Sequence, residues 1–460
     1  MKILIRGAGD LATGIAARLY RCGHEILMTE IKEPLTVRRT VAFSRAVYEG
    51  HARVEDMEAV LAGDLEEARQ ILTRGDIPVM VDERADVRET FCPDVLIDAI
   101  IAKKNTGTKI TDAPFVIGAG PGFTAGKDCH CVIETKRGHT LGRLIWEGTA
   151  IPNTGVPGNV GGYTIERLLR AAEEGRIEPT VSIGSQVEKG QIVAYTGGVP
   201  VYAAMSGIVR GMLQEGAEVK KGMKIGDIDA RCETAHCYTI SDKALAIGGA
   251  ALEAVELYGR IKGKYGLVIL AAGRGERFGG DKLSSQIHGR PVYQYTLDLA
   301  RSFPGVEKMI VTGNERIAQA ALEAGVTLVE NREPDRGISW SLKLGLKAMR
   351  EKKPEVEGIL FCVCDQPGLR AATIQKIWNR AAVKREKIIC AGHEGRSGNP
   401  VLWPGKYFPE LMELEGDVGG RAVMARHPDQ VEIVESRDTE LRDIDRKEDL
   451  EEIWERRWGI

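Results

Sequence analysis

Twice in this 460-residue chain a short apolar strand runs directly into a glycine turn and on toward a helix. The two strings are KILIRGAGDLATG at residues 2–14 and LVILAAGRGERFGGDK at residues 267–282. A glycine turn lets the backbone bend sharply and leaves N–H groups bare for an anion, so both ends of the chain are committed to a layered α/β architecture. Glycine is abundant throughout, with 54 residues against a usual share of about 7%, while 18 prolines and no G-X-Y period exclude collagen and low-complexity linkers. The formal net charge of −3 disfavours a globally basic nucleic-acid binder. Nine cysteines, an odd number without a C-x-x-C pair, indicate neither a disulfide framework nor a zinc ribbon. MKILIRGAGD has no apolar leader core, and apolar runs are strand-length, short of the ~20 residues of a membrane span. A cytoplasmic protein acting on neither membrane nor nucleic acid is expected.

At roughly 150 residues per domain the length suggests about three domains, and the texture divides accordingly. In residues 1–111, strands at Lys2–Ile5, His24–Thr29, Ile77–Val81 and Val95–Ala99 alternate with helical stretches such as 54–74, the pattern of a parallel Rossmann-like sheet. Residues 112–260 are β-rich, with a helix expected at 163–174 and another at 244–258. Within about 180–230, IGSQVEKGQIVAYTGG and EGAEVKKGMKIGDID share a G-x-x-V-x-K-G-x-x-(I/V) frame, the mark of paired hairpins. This spacing resembles the barrel-sandwich module of biotinyl and lipoyl carriers, but Ala204-Met205-Ser206-Gly207 offers no lysine beside the methionine, so a structural or binding version is expected. Residues 264–460 return to strand and helix alternation, a doubly wound domain ending in a helix at 448–458.

The second glycine loop carries Arg274, Arg277 and Lys282 beside its glycines, a combination suited to phosphates and lacking the G-K-[ST] of a Walker A loop. It resembles the phosphate loop of MobA-like nucleotidyltransferases, and its Ala-Ala-Gly with Arg-Phe-Gly is similar to the molybdenum cofactor cytidylyltransferases of the MocA type. NREPDRGISWSL, GILFCVCDQP, GNPVLW, GDVGGR and DIDRKEDL follow in family order, with Arg446-Lys447 standing where Thr-Pro is commoner. The resemblance implies cytidylyl transfer from CTP to a molybdopterin-type cofactor with release of pyrophosphate, a reaction that needs charge neutralisation and positioning. Leu270, Ala271, Ala272, Gly273, Arg274, Gly275 and Lys282 would bind the nucleotide, with Arg277, Lys282 and Asp365 catalytic. Mg²⁺ (or Mn²⁺) would take Asp365 first and Asp445, or less readily Asp443, second. Ser339, Ser341, Asn399, Pro400, Gly419 and Arg421 are candidates for the pterin side. A sugar-nucleotide transferase remains an alternative. Cys362 and Cys364 bracket a strand and read as core.

GAGDLATG sets Gly7, Gly9 and Ala12 in the G-x-G-x-x-A register, with Asp10 between them and Glu30 about 20 residues on, a dinucleotide-type site in which Glu30 would hold a ribose. A Rossmann-like turn without a ligand, or an NAD(P)-binding oxidoreductase joined to an inactive transferase, stays open. Across nearly all of 1–258, GAGDLATGIAARL, TEIKEPLTVRRTVAFSRAVYEG, GAGPGFTAGKDCHCVIETKRGH, NTGVPGN and TISDKALAIGG resemble the selenium-dependent molybdenum hydroxylase accessory proteins of the YqeB type. That resemblance implies a maturation role with an apo molybdenum hydroxylase as partner. Arg38 and Arg39 could bind an anion but read first as solvated, His130, His139 and His236 near cysteines read as structural before metal-binding, and GAGPGF reads equally as a second phosphate cradle or a tight turn.

Overall fold

The computed structural model describes residues 1–153, 162–273 and 278–450. It divides into two compact units, Met1–Val255 and Glu256–Ile460, and the division falls inside the helix Asp242–Ile261.

The first unit is built on a nine-stranded sheet. Its order is Leu144–Ile145, Cys131–Ile133, Phe115–Ala119, Val95–Asp98, Lys2–Arg6, Glu25–Glu30, Ile77–Val81, Met57–Ala62, His51–Val54. All neighbours are parallel except the two outermost pairs. The central strand is buried on both faces from Ile3 to Arg6, which is why its apolar run does not alternate. Gly7 ends it with φ +100°, and a Cβ there would stand 3.2 Å from the backbone of Ala99 and Ile100, so the turn requires glycine. The helix Asp10–Arg21 follows. It packs on Asp242–Ile261 through small residues: a Cβ on Gly14 would lie 2.6 Å from Ala244 Cβ, and one on Gly248 2.3 Å from the Gly14 carbonyl oxygen.

The expected helix over 54–74 is instead a hairpin, His51–Val54 with Met57–Ala62, followed by the helix Leu65–Arg74. Burial in the hairpin's first strand alternates with period two, and Asp64 caps the helix by accepting from Glu67 N–H at 2.9 Å. The helix expected at 163–174 is also absent. Leu168–Arg170 is a strand paired with Lys224–Asp229, and Leu169 packs onto Gly226, where a Cβ would stand 2.7 Å from its Cδ1. Tertiary pairing overrides the helix propensity of ERLLRAAEE.

Two four-stranded antiparallel sheets enclose the core around Ile177, Val193, Val209 and Ile228. Each half of the internal repeat contributes one strand to each sheet, so its lysine-glycine turn crosses between the sheets and does not close the expected hairpin. Gln186–Val187 and Lys224–Asp229 lie in one; Ile192–Thr196 and Glu218–Val219 lie in the other. Arg38 is 8% exposed, correcting its reading as solvated. It donates to the carbonyls of His236 and Thr239, which draws it inward. His130 is buried and its Nδ1 accepts from Val116 N–H.

The second unit holds a seven-stranded sheet ordered Thr327–Glu330, Glu307–Thr312, Tyr265–Leu270, Gly358–Val363, Arg396–Pro404, Ile388–His393, Val431–Glu435. Its first four strands are parallel, and Arg396–Pro404 runs antiparallel to both neighbours. Apolar cores lie on both faces, one around Trp378 and Phe303, the other around Trp403 and Leu346. The helix Ile338–Lys352 crosses the sheet closely enough that a Cβ on Gly345 would meet Val268 at 2.5 Å. Most of the helix expected at 448–458 lies outside the described residues. No described helix is long and apolar enough to cross a membrane.

Candidate active site

In the second unit the strand Tyr265–Leu270 lies between Glu307–Thr312 and Gly358–Val363, where connections depart in different directions and a crevice opens at the carboxyl ends. A cavity of about 700 Å³ lies there. Leu270, Ala272 and Gly273 reach it from the first strand, and Val363, Cys364 and Asp365 from its neighbour. Gly273 faces open space, with nothing within 4 Å of where a Cβ would be. Ala271 points away and is buried, its carbonyl accepting from Thr312 Oγ1 at 2.9 Å. Arg274, Gly275 and Arg277 lie outside the described residues.

Lys282 and Asp365 meet at the cavity wall, Nζ to Oδ2 2.6 Å, and Asp445 Oδ1 stands 3.9 Å from the same Nζ. The segment carrying the later acids is tied to the strand end: Ile444 N–H donates to the Asp365 carbonyl at 3.0 Å, and Gln366 Nε2 donates to Asp443 Oδ1 at 2.9 Å. Burial, with Asp365 and Asp445 as like charges nearby, pushes the Asp443 carboxyl up to about 6. Three carboxylates around one ammonium form a donor set of hard oxygens, which suits a divalent cation bound through one or two carboxylates together with ligand oxygens. Among the described residues no group of three or more His, Cys, Asp or Glu is placed to hold a metal ion, so a cation here would depend on one or two of these carboxylates with ligand oxygens.

The pterin-side candidates separate. Asn399, Gly419 and Arg421 line a smaller adjoining cavity of about 150 Å³ with Trp403 and Ile338. Pro400 follows Asn399 through a cis peptide bond and lies outside that lining. Ser341 lines the larger cavity and accepts from the buried Asn331 Nδ2 at 3.0 Å. Ser339 is buried, and its hydroxyl donates to the Gly416 carbonyl at 2.7 Å, holding the 416–420 loop.

Asp335, Gly337 and Asp417 also line the larger cavity and were missed in the sequence. Asp417 lies inside GDVGGR, a string noted for its glycines and arginine, and Gly337 precedes the helix in NREPDRGISWSL; both signals were present but unread.

In the first unit Glu30 does not stand open. Its carboxylate accepts from Ala8 N–H and Ile31 N–H, both at 2.9 Å, and burial outweighs these bonds to raise its pKa. Ala12 is fully buried, Gly9 precedes the helix, and Asp10 reaches a separate cavity. In GAGPGF, a Cβ on Gly118 would meet Phe123 at 2.5 Å and one on Gly122 the Lys104 backbone at 2.5 Å; these glycines serve close packing.

Residues 267–431, which include most of the seven-stranded sheet and of its crevice, match the MobA-like NTP transferase domain. The amino-terminal half matches the uncharacterized protein YqeB of Escherichia coli K12, 49% identical over 253 residues, 55% of this chain and 47% of YqeB. The carboxyl-terminal half has molybdenum cofactor guanylyltransferase homologues. That of Serratia proteamaculans is 32% identical over 137 residues, 29% of this chain and 64% of the relative. The chain thus spans about half of one curated relative and under two thirds of the other, a pattern consistent with a fusion. The crystal structure of Rv0371c from Mycobacterium tuberculosis aligns with 42% of this chain and 97% of its own, at 26% identity and a TM-score of 0.37.

Proposed function

We propose that the carboxyl-terminal unit is a molybdenum cofactor cytidylyltransferase, joining CTP to a molybdopterin-type cofactor and releasing pyrophosphate. The observation that supports this most is the convergence of Lys282, Asp365, Asp443 and Asp445 on a cavity large enough for a nucleotide. The terminal phosphate of the pterin attacks the α-phosphorus of CTP; the new P–O bond forms as the bond to the β-phosphate oxygen breaks, and the electron pair leaves with pyrophosphate. Lys282, with Arg277, neutralises the departing charge, and Gly273 leaves its backbone open to the phosphates. Mg²⁺ (or Mn²⁺), held by Asp365 with Asp445 or Asp443, would supply Lewis-acid neutralisation at the α-phosphate. Asn399, Gly419 and Arg421 grip the pterin side in the smaller cavity.

Cytidylyl rather than guanylyl transfer rests on the Ala-Ala-Gly loop, whereas the homologues named above are guanylyltransferases. Incubating the full chain with each NTP, Mg²⁺ and molybdopterin while following pyrophosphate decides between them. Turnover with CTP is expected; turnover with GTP alone would replace the cytidylyl reading.

For the amino-terminal half, we propose a cytoplasmic maturation role in which a Rossmann-like domain, 1–111, and a barrel-sandwich-like region within 112–260 accompany the transferase domain, 264–460. Its dinucleotide-type site, at Gly7, Gly9, Asp10, Ala12 and Glu30, would receive the dinucleotide product and help load an apo molybdenum hydroxylase. Retention of the labelled cytosine dinucleotide by the full chain after turnover tests this; its immediate release would count against it.

A further inference from the structure

The first unit contains a second cavity, about 560 Å³, at the carboxyl ends of four parallel strands. Asp10 and Leu11 reach it after Lys2–Arg6, Ile101 and Lys103 after Val95–Asp98, Pro121 after Phe115–Ala119, and Thr135 after Cys131–Ile133. Lys2–Arg6 and Val95–Asp98 are the strands between which the order of connection reverses, the place where such sheets take ligands. The opposite wall comes from the β-rich region and the start of the helix Asp242–Ile261, with Arg167, Arg210, Lys224 and Lys243.

The wall is strongly cationic. Eight Lys or Arg side chains line the cavity against two carboxylates, Asp10 and Asp227. Asp10 stands 3.6 Å from Arg38, and Asp227 is shared by Arg167 and Lys224. Behind the wall, Asp229 stands 3.8 Å from Arg210 and Asp242 pairs with Arg137, and an excess of cations still remains. Arg38 and Arg210 are each 8% exposed, so they hold their charge away from bulk water, where an ion is costly without a partner. Arg38 Nε and Arg167 Nε are buried donors with no acceptor among the described residues. Desolvation lowers the pKa of Lys224 and of Lys243, in each case against the pull of nearby carboxylates. Among the described residues the lining therefore carries more positive than negative charge.

The excess positive charge lies on the cavity wall and not at the glycine turn. At the turn, Asp10 opens the helix with a negative charge and Glu30 is engaged with the turn's own backbone. Cations converge from separate segments of the chain on a volume that holds a small organic molecule.

We propose that this cavity binds a pyrophosphate-bearing organic ligand through Arg38, Arg167, Arg210, Lys224 and Lys243. The cavity adjoins the glycine-turn site above, sharing Asp10 with it, and its existence does not rest on the transferase reading.

The test is calorimetric titration of the full chain with inorganic pyrophosphate in the absence of metal. It is run in parallel on Lys282→Ala, on the double variant Lys224→Gln/Lys243→Gln and on Lys224→Arg/Lys243→Arg. Binding is expected in Lys282→Ala, weakened about tenfold or more by the glutamine pair and largely kept by the arginine pair, with affinity falling as salt rises. Unchanged melting curves confirm that the variants are folded. Equal binding in wild type and the glutamine pair, or loss of all binding in Lys282→Ala, overturns the proposal. CDP and NAD, titrated the same way, distinguish the sources: tighter binding of CDP assigns the cavity to a nucleoside diphosphate, tighter binding of NAD to a dinucleotide. Failure of pyrophosphate, CDP and NAD alike overturns it.

Discussion

Lys282 Nζ lies 2.6 Å from Asp365 Oδ2, joining two side chains 83 positions apart at the mouth of two adjacent parallel strands. The pair brings the glycine loop's cation and the second strand's carboxylate to one point. Both side chains are largely buried, 13% and 21% exposed, so each depends on the other or on a ligand for its charge. Asp365→Asn keeps the shape and removes the charge. Pyrophosphate release is expected to fall about 100-fold or more, with the far-ultraviolet dichroism unchanged. Full activity in that variant would overturn the proposal that Asp365 holds a metal.

Gly337 has φ +80°, and a Cβ there would stand 2.4 Å from the Gly416 carbonyl oxygen. Gly337→Ala therefore combines a left-handed backbone with a direct clash against the 416–420 loop. A loss of roughly 2–4 kcal/mol in urea unfolding of the second unit is expected. The loop would also move away from Ser339, reducing turnover. An unaltered midpoint would show that the loop yields without resistance.

Burial alone would raise the Asp229 carboxyl, but Arg231 donates to it from Nε at 2.9 Å and from Nη2 at 2.6 Å, and with Arg210 nearby the pKa falls to about 2. A depressed carboxylate stabilises the fold fully above its unfolded pKa, and the contribution disappears as pH falls through the folded value. The window is therefore from about pH 4 down to about pH 2. Asp229→Asn should cost roughly 2 kcal/mol at pH 7 and progressively less across that window, as measured by denaturant unfolding at several pH values. A difference independent of pH would show that packing, not charge, carries the effect.

Cys22, Cys92 and Cys232 are exposed, whereas Cys129, Cys131, Cys237, Cys362, Cys364 and Cys390 are buried. Burial pushes the Cys129 and Cys364 thiols up to about 12, so they stay protonated and unreactive. A chromogenic disulfide reagent should titrate three thiols rapidly in the native protein and the remaining six only after denaturation. Fast reaction of a fourth would mean that a buried segment opens locally.

Much of the α/β framework was legible because its signals are local. Ile77–Val81 and Gly358–Val363 appear as short apolar runs bounded by polar turns, and both strands match those runs at each end. The glycine loop and the DQP carboxylate could be picked out because phosphate and metal chemistry demand particular residue types at a strand's end. The failures share a cause. ERLLRAAEE has the composition of a helix, and only its pairing with Lys224–Asp229, more than fifty residues on, makes part of it a strand. Arg38 looks like any surface arginine until the carbonyls of His236 and Thr239 draw it inside.

The sequence by itself determined the strand-turn-helix unit of Lys2–Arg6 and Asp10–Arg21, the apolar strand Tyr265–Leu270 that enters the second glycine loop and the strand segments of the internal repeat, since each depends on neighbours within a few positions. Tertiary structure alone decided which charges meet. Lys282 and Asp365 become partners because parallel strands place their ends side by side. Glu30 becomes a backbone acceptor because the turn at Ala8 closes onto it. The cationic cavity of the first unit exists only because Arg38, Arg167, Arg210, Lys224 and Lys243, scattered over about two hundred residues, converge at one end of a sheet. Coulomb interactions depend on distance in space, and the order of residues along the chain does not contain that distance.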